Sequence, residues 1–293
     1  MNRRYLWDKL SSAWMIACIS LLLLLPLAIG LGLVLKSSPI LHAVAPFKLI
    51  TSSDWSPMQG KFGFWPFIFS SVLVTIISIV IAAPVCLFAA IYLTQFAPKW
   101  MLTAMRPVID ILAGIPSVIY GVWGILVIVP LISSIGTSLH IDTSGYSILA
   151  GAVVLAIMSI PYILNMLLEV FRQIPIELKE ASLSLGTTQW ETIKHVLLRK
   201  GSAGIISAYG LGLSKALGET IAVLMVAGNV VQIPKNIFAA GYPLPALIAN
   251  NYGEMMSIPS YDSALMFGAL VLFIIILIFN VGFRFLIYKA ELV

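Results

Sequence analysis

Residues 175–200 read PIELKEASLSLGTTQWETIKHVLLRK, and the stretch folds on its own logic. Pro175 suits the first position of a helix, where its missing N–H is not needed. Residues 176–185 continue that helix, and Gly186 can end it in a left-handed cap. Thr188 then serves as the next N-cap, with Glu191 three residues later completing a capping box. Ile193, Val196 and Leu197 supply an apolar face, and Lys194, Arg199 and Lys200 gather toward the C-terminus, where the helix dipole favours them. The expectation is an exposed, amphipathic helix–glycine–helix hairpin. Taken alone, such a pair is an ordinary interfacial element.

What flanks the hairpin sets the fold class. Uncharged windows run over Leu10–Leu35, Phe62–Pro98, Ile111–Ile141, Thr143–Leu168 and Ser263–Phe283, while Gly201–Pro234 is broken only by Lys215 and Glu219. About 20 apolar residues cross a hydrocarbon core of about 30 Å, and backbone polar groups there must be paired within helices. The spacing therefore predicts an all-α membrane protein with six transmembrane helices, the third beginning near Val108 with Asp110 at its inner end. Composition agrees: the 293 residues are 60% hydrophobic and 10% charged, with mean hydropathy +1.03, against about 25% charged residues in a soluble domain.

Placing the N-terminus in the cytoplasm puts twelve Lys and Arg inside and four outside (Lys36, Lys48, Lys61 and Lys235), with Lys215 in the membrane. The positive-inside bias then predicts both termini in the cytoplasm and the hairpin between spans four and five on the inner face. Arg3, Arg4 and Lys9 precede the first apolar run as in a signal peptide. That run is too long for an h-region of about 7–15 residues, so an uncleaved span is expected. Lys36–Pro66, with Trp55 and Trp65, is expected to lie along the outer interface. Gln232–Asp262, broken by four prolines, is expected to dip back into the protein or form a lid. Pro84, Gly114 and Pro116 are candidate kinks, or points where broken backbone faces a cavity.

Several chemistries are excluded. Cys18 and Cys86 sit on different predicted spans, and His42, His140 and His195 are scattered, so no metal site is expected. No G-x-x-x-x-G-K-S/T run occurs; Gly210–Lys215 resembles one superficially but lies inside span five, where its small residues suit close helix packing. No catalytic residue, bound cofactor or nucleic-acid partner is expected.

Glu180-Ala181-Ser182, then Gly186, then Val196 and Leu198 resemble the EAA loop of ABC importer permeases. That pattern has Glu-Ala-Ala, three residues, Gly, nine residues, Ile, one residue and Leu-Pro. Ser182, Val196 and Arg199 depart from it, the last at the junction with span five. The resemblance implies the type I importer permease fold, with residues 1–66 forming an N-terminal transmembrane helix and external loop. Residues 67–290 then form the five-helix transporter domain, its coupling loop at about 170–200. It also implies that Glu180 through Trp190 dock on an ATPase, which holds the ATP and Mg. The implied partners are a homologous permease chain, two ATP-binding subunits and an external binding protein, in a bacterial or archaeal cytoplasmic membrane.

Lys215 and Glu219 lie four apart in span five, on one face if the helix is continuous. Each costs about 2.5–3.5 kcal/mol at the bilayer centre, which marks them as functional candidates. Lys215-Ala-Leu-Gly-Glu219-Thr220, running on to Asn229, and Ala113-Gly-Ile-Pro-Ser117-Val-Ile-Tyr120-Gly-Val-Trp123-Gly124 are similar to the phosphate importer's permeases, more to the C-type subunit than to the A-type. That family usually has Arg where this chain has Lys215. Two roles stay open. Lys215 can balance an oxyanion's charge while Glu219 selects one that still carries a proton, with Ser117, Tyr120 and Thr220 offering hydroxyls; or the pair is a gate. A permease for another oxyanion, molybdate or sulfate, and an ATP-independent secondary transporter are the alternatives.

Overall fold

The computed structural model describes residues 2–252 and 259–291. Fourteen helices dominate among the described residues. α1 (Asn2–Ala43) runs past the predicted span and into what was expected to be external loop. α3 (Trp65–Ile91) ends in a π-helical turn, Tyr92–Phe96. α4 (Lys99–Gly114), α5 (Ser117–Trp123) and α6 (Val129–Ser138) follow, with a second π turn at Gly124–Ile128 between the last two. α7 (Ile148–Gln173) is the central helix, buried along most of its length and packed by α3, α4 and α5.

Beyond α7 come α8 (Ile176–Ser184), α9 (Gln189–Thr192), a π turn at Ile193–Leu197 and α10 (Leu198–Lys200). α11 (Ser202–Gly218) and α12 (Ile221–Val226) occupy the fifth predicted span, and both pack on α7. α13 (Leu244–Asn251) and α14 (Pro259–Glu291) complete the chain. Among the described residues, five helical stretches are long and apolar enough to cross a membrane: Trp7–Ala43, Trp65–Phe96, Ser117–Ser138, Ile148–Gln173 and Ser260–Ala290. The fifth predicted span is not one helix but the broken pair α11–α12.

The outer segments pack against the helices. α2 (Pro46–Thr51) and a two-residue hairpin, β1 (Trp55–Ser56) with β2 (Lys61–Phe62), wrap Trp55 into an aromatic cluster. Trp55 meets Phe67 at 4.9 Å and Tyr261 at 6.0 Å between ring centroids. Its partners Phe62, Phe64 and Phe67 are buried, so apolar burial outweighs interfacial anchoring here. The second outer segment dips back as one of its two expected forms. The amide of Gly241 donates to Ala227 O, that of Ile148 to Ala239 O, and the amide of Leu244 to the Ser71 hydroxyl at 2.7 Å. Residues 253–258 of this segment lie outside the described residues.

Small residues seat α11 between its neighbours. A Cβ on Gly210 would come within 2.8 Å of the Phe283 ring on α14, and one on Gly212 within 2.5 Å of Ile163 on α7. These glycines are packing contacts, as their position in an apolar span suggests. Gly212→Leu is therefore expected to destabilise the fold by about 1–3 kcal/mol through overpacking, read as a lower unfolding temperature in detergent.

Candidate functional site

The sequence of α4 explains its end. Proline at 116 pushes the preceding residue out of the helical region, and Ile115 is extended (φ −66°, ψ 127°). The helix stops at Gly114 and restarts at Ser117. Span five breaks in the same way without a proline: α11 stops at Gly218, Glu219 is extended (φ −71°, ψ 128°), and α12 restarts at Ile221. Lys215 and Glu219 therefore do not share a helical face, contrary to the reading of one continuous span. A carboxylate inside the bilayer takes a helix end, where free amides can serve it. Glu219 Oε1 accepts from the amide of Ala222 at 3.4 Å.

The two breaks are tied together by Tyr162 of α7. Its hydroxyl donates to the Ala113 carbonyl at 2.7 Å, at the end of α4. Its ring lies under the Lys215 ammonium, 2.6 Å from Nζ to centroid. Lys215 occupies the last turn of α11, so the negative end of that helix's dipole also favours its charge. A desolvated cation over a ring is worth about 2 kcal/mol. On the far side of the breaks, α5 and α12 touch almost backbone to backbone: a Cβ on Gly121 would lie 3.2 Å from Ala222 Cα.

Two of the expected anion donors are already committed. The Tyr120 hydroxyl donates to Leu112 O at 2.9 Å, and the Thr220 hydroxyl to Gly218 O at 3.2 Å. Each has one proton, and both protons serve main-chain carbonyls beside the helix breaks, that of Leu112 also accepting from the Ile115 amide. Ser117, at the first position of α5, makes no such bond among the described residues. Asn229 lies apart from this group. It follows the C-terminal end of α12 with φ 52°, and its amide donates back to Leu224 O at 2.8 Å.

A polar ladder runs from Tyr162 toward the cytoplasmic end of α7. Asn165 donates to Asp110 at 3.3 Å, and Glu169 meets Arg106 at 3.5 Å and Arg172 at 3.8 Å. Residues 162, 165 and 169 share one helical face, and α4 answers antiparallel with 113, 110 and 106. Arg106 and Glu169 are 47% and 59% exposed. Charged side chains do not face lipid cheaply, which suits this side of α4 and α7 to water or to another protein. Sequence reading missed Tyr162, because a tyrosine inside an apolar run carries no local sign of what its hydroxyl and ring will meet.

The hairpin forms largely as expected. Gly186 is left-handed (φ 83°). Thr188 and Glu191 make the reciprocal capping box, Glu191 accepting from the Thr188 amide at 2.7 Å. That amide, then the Thr188 hydroxyl, holds the Glu191 carboxyl below the ordinary carboxylate range. The hydroxyls of Ser182, Thr187 and Thr192 lie within 2.9–3.0 Å of one another and pin the two limbs. Pro175 is the N-cap, not the first helical residue. Its extended ψ of 134° places it one step outside. Glu180, Ala181 and Trp190 are exposed and Ser182 is half-buried. The second limb does not stop before span five. Gly201 donates to Leu197 O and Ile205 to Gly201 O, so the helix runs through into α11.

Comparison with known proteins gives this arrangement a family. Residues 82–289 match the binding-protein-dependent transport system inner membrane component family. The chain is 38% identical over 239 residues to the phosphate transport system permease protein PstC of Xylella fastidiosa, covering 76% of this chain and 73% of the relative. It is 33% identical to PstC of Pasteurella multocida over 84% of this chain and 81% of the relative. Among solved structures, the inward-facing MetNI methionine ABC transporter superposes with TM-score 0.59 at 19% identity, over 81% of this chain and 99% of that one; this likeness speaks to the fold. The chain belongs to the family of binding-protein-dependent transport system inner membrane components.

Proposed function

We propose that this chain is the C-type permease subunit of an ATP-driven importer of inorganic phosphate in the cytoplasmic membrane. The observation that carries the substrate is the 33–38% identity to permeases named for phosphate transport, across 76–84% of the chain. The permease itself performs no covalent chemistry. A homologous permease chain, two ATPase subunits carrying ATP and Mg, and an external phosphate-binding protein complete the working complex.

The route for the anion follows the broken helices. Lys215 sits where α4 and α11 end, and the ladder of Arg106, Asp110, Asn165, Glu169 and Arg172 leads from there toward the cytoplasm. Lys215 attracts the oxyanion to the gap as it passes. Glu219, one step beyond the helix end, favours phosphate because a carboxylate accepts from an oxyanion that keeps a proton and repels one that does not. Tight binding is not wanted here, since a deep well in the path slows release.

The test is uptake into proteoliposomes holding the full complex, with labelled phosphate, sulfate or molybdate, with and without ATP. ATP-dependent accumulation of phosphate at least tenfold above the other two is expected. Preferential uptake of sulfate or molybdate would replace the substrate. Accumulation without ATP would replace the mechanism with a secondary transporter.

A further inference from the structure

Gln95 is neither charged nor in the motif, yet both limbs of the hairpin hold it. It lies in the π-helical turn Tyr92–Phe96 that ends α3, three residues before Pro98 and the start of α4. Lys179 of α8 donates its ammonium to Gln95 Oε1 at 3.0 Å. Gln189, the first residue of α9, donates its side-chain amide to the Gln95 main-chain carbonyl at 2.7 Å. That carbonyl is one of the orphans every helix end leaves, and here the hairpin satisfies it. The Gln95 amide is in turn fixed by donating to Thr94 Oγ1 at 3.2 Å.

These bonds join a stiff body to a lever. The hairpin is stiff because its hydroxyl cluster and capping box bind its limbs together. α4 is a lever because its sixteen residues span about 24 Å, from the clasp at one end to the break at Ile115–Pro116 at the other. The hairpin's second limb runs through Gly201 into α11, which ends at the break beside Glu219. One rigid element thus grips the near ends of both half-helices whose far ends meet at Tyr162.

We infer that Gln95 is a positioning residue for transport: it clasps the hairpin to α4, so that a displacement of the hairpin moves α4 and α11 together and opens both breaks at once. The covalent link serves α11 alone, and without the clasp α4 receives the motion only through looser contacts. This inference rests on the ATPase-driven reading above.

The experiment measures phosphate uptake and ATP hydrolysis in the same proteoliposomes, using the full complex with the double variant Gln95→Ala, Gln189→Ala. Phosphate moved per ATP hydrolysed is expected to fall about 30-fold, from the loss of one charged and one neutral hydrogen bond. Gln95→Glu is expected to keep the ratio near the parent's, because a carboxylate still accepts from Lys179. Lys179→Met, which removes the charged bond only and leaves the turn's backbone contact intact, is expected to lower the ratio about tenfold. A residue that merely supports folding would lower the amount of complex and both rates together. An unchanged ratio in both the double variant and Lys179→Met would overturn the clasp alone. Absence of ATP-driven uptake in the parent complex would remove the clasp and the importer reading together.

Discussion

Lys215→Gln is expected to lower phosphate uptake by the assembled complex about 100-fold, the scale for losing one partner of a desolvated charge contact. The glutamine stays polar and is one bond shorter, so the change reads mainly charge. Removing that charge takes away the cation that lies over Tyr162 in the last turn of α11. What remains is the Glu219 carboxylate and the C-terminal carbonyls of α4 and α11, set against the N-terminal ends of the short helices α5 and α12, and the full positive charge that draws an anion is gone. Lys215→Arg is expected to retain uptake within about threefold, since a guanidinium stays charged and stacks on an aromatic face. The two mechanisms separate on ATP hydrolysis. If Lys215 attracts the anion, Lys215→Gln hydrolyses ATP under binding-protein stimulation but moves little phosphate. If it is a gate latch, the same variant leaks phosphate without ATP. Normal, ATP-coupled uptake in Lys215→Gln would sink both roles. Gel filtration of the variant checks that the complex still assembles.

The parts of this fold that were legible beforehand are those written locally. The hairpin is one: Gly186, Thr188 and Glu191 carry their conformations in their own chemistry, and the left-handed glycine and the capping box follow. The apolar windows are another, since a bilayer demands a minimum run. The spans shifted at their ends for a physical reason. α1 continues to Ala43 despite Ser37, Ser38 and Pro39, which are poor helix formers, because α14 packs beside it and Ile40 is buried.

The misses are all long-range. Lys215 and Glu219 at spacing four look like one helical face, and only the break at Gly218 separates them. The break depends on α5 and α12 docking through Gly121 and Ala222, which spacing within span five cannot reveal. Tyr162 meets Ala113 across 49 positions, and Trp55 meets Tyr261 across the length of the chain. Tyr120 is expected to offer its hydroxyl to an anion, but its proton goes to Leu112 O, a contact that spacing within the apolar run cannot reveal.

Trp190→Ala and Leu185→Asp are expected to separate docking from folding at the hairpin. Leu185 is 83% exposed and Trp190 50% exposed at its tip, a large apolar pair held out from the membrane beside Glu180 and Ala181. Neither side chain takes part in the side-chain bonds that build the hairpin, which run through Ser182, Thr187, Thr192, Thr188 and Glu191. A well-packed tryptophan at an interface is commonly worth about 2 kcal/mol or more, so Trp190→Ala is expected to weaken capture of the ATPase subunit about 30-fold. Leu185→Asp brings a charge into the same contact and is expected to do at least as much. Gly186→Val attacks the other term. Its φ of 83° is hard for a β-branched residue, so the hairpin itself deforms and amide exchange across 176–192 speeds up. The tip variants are expected to leave that exchange unchanged. Should Trp190→Ala and Leu185→Asp both retain the ATPase at parental affinity, the tip is not the docking surface, and the exposed apolar pair needs another partner.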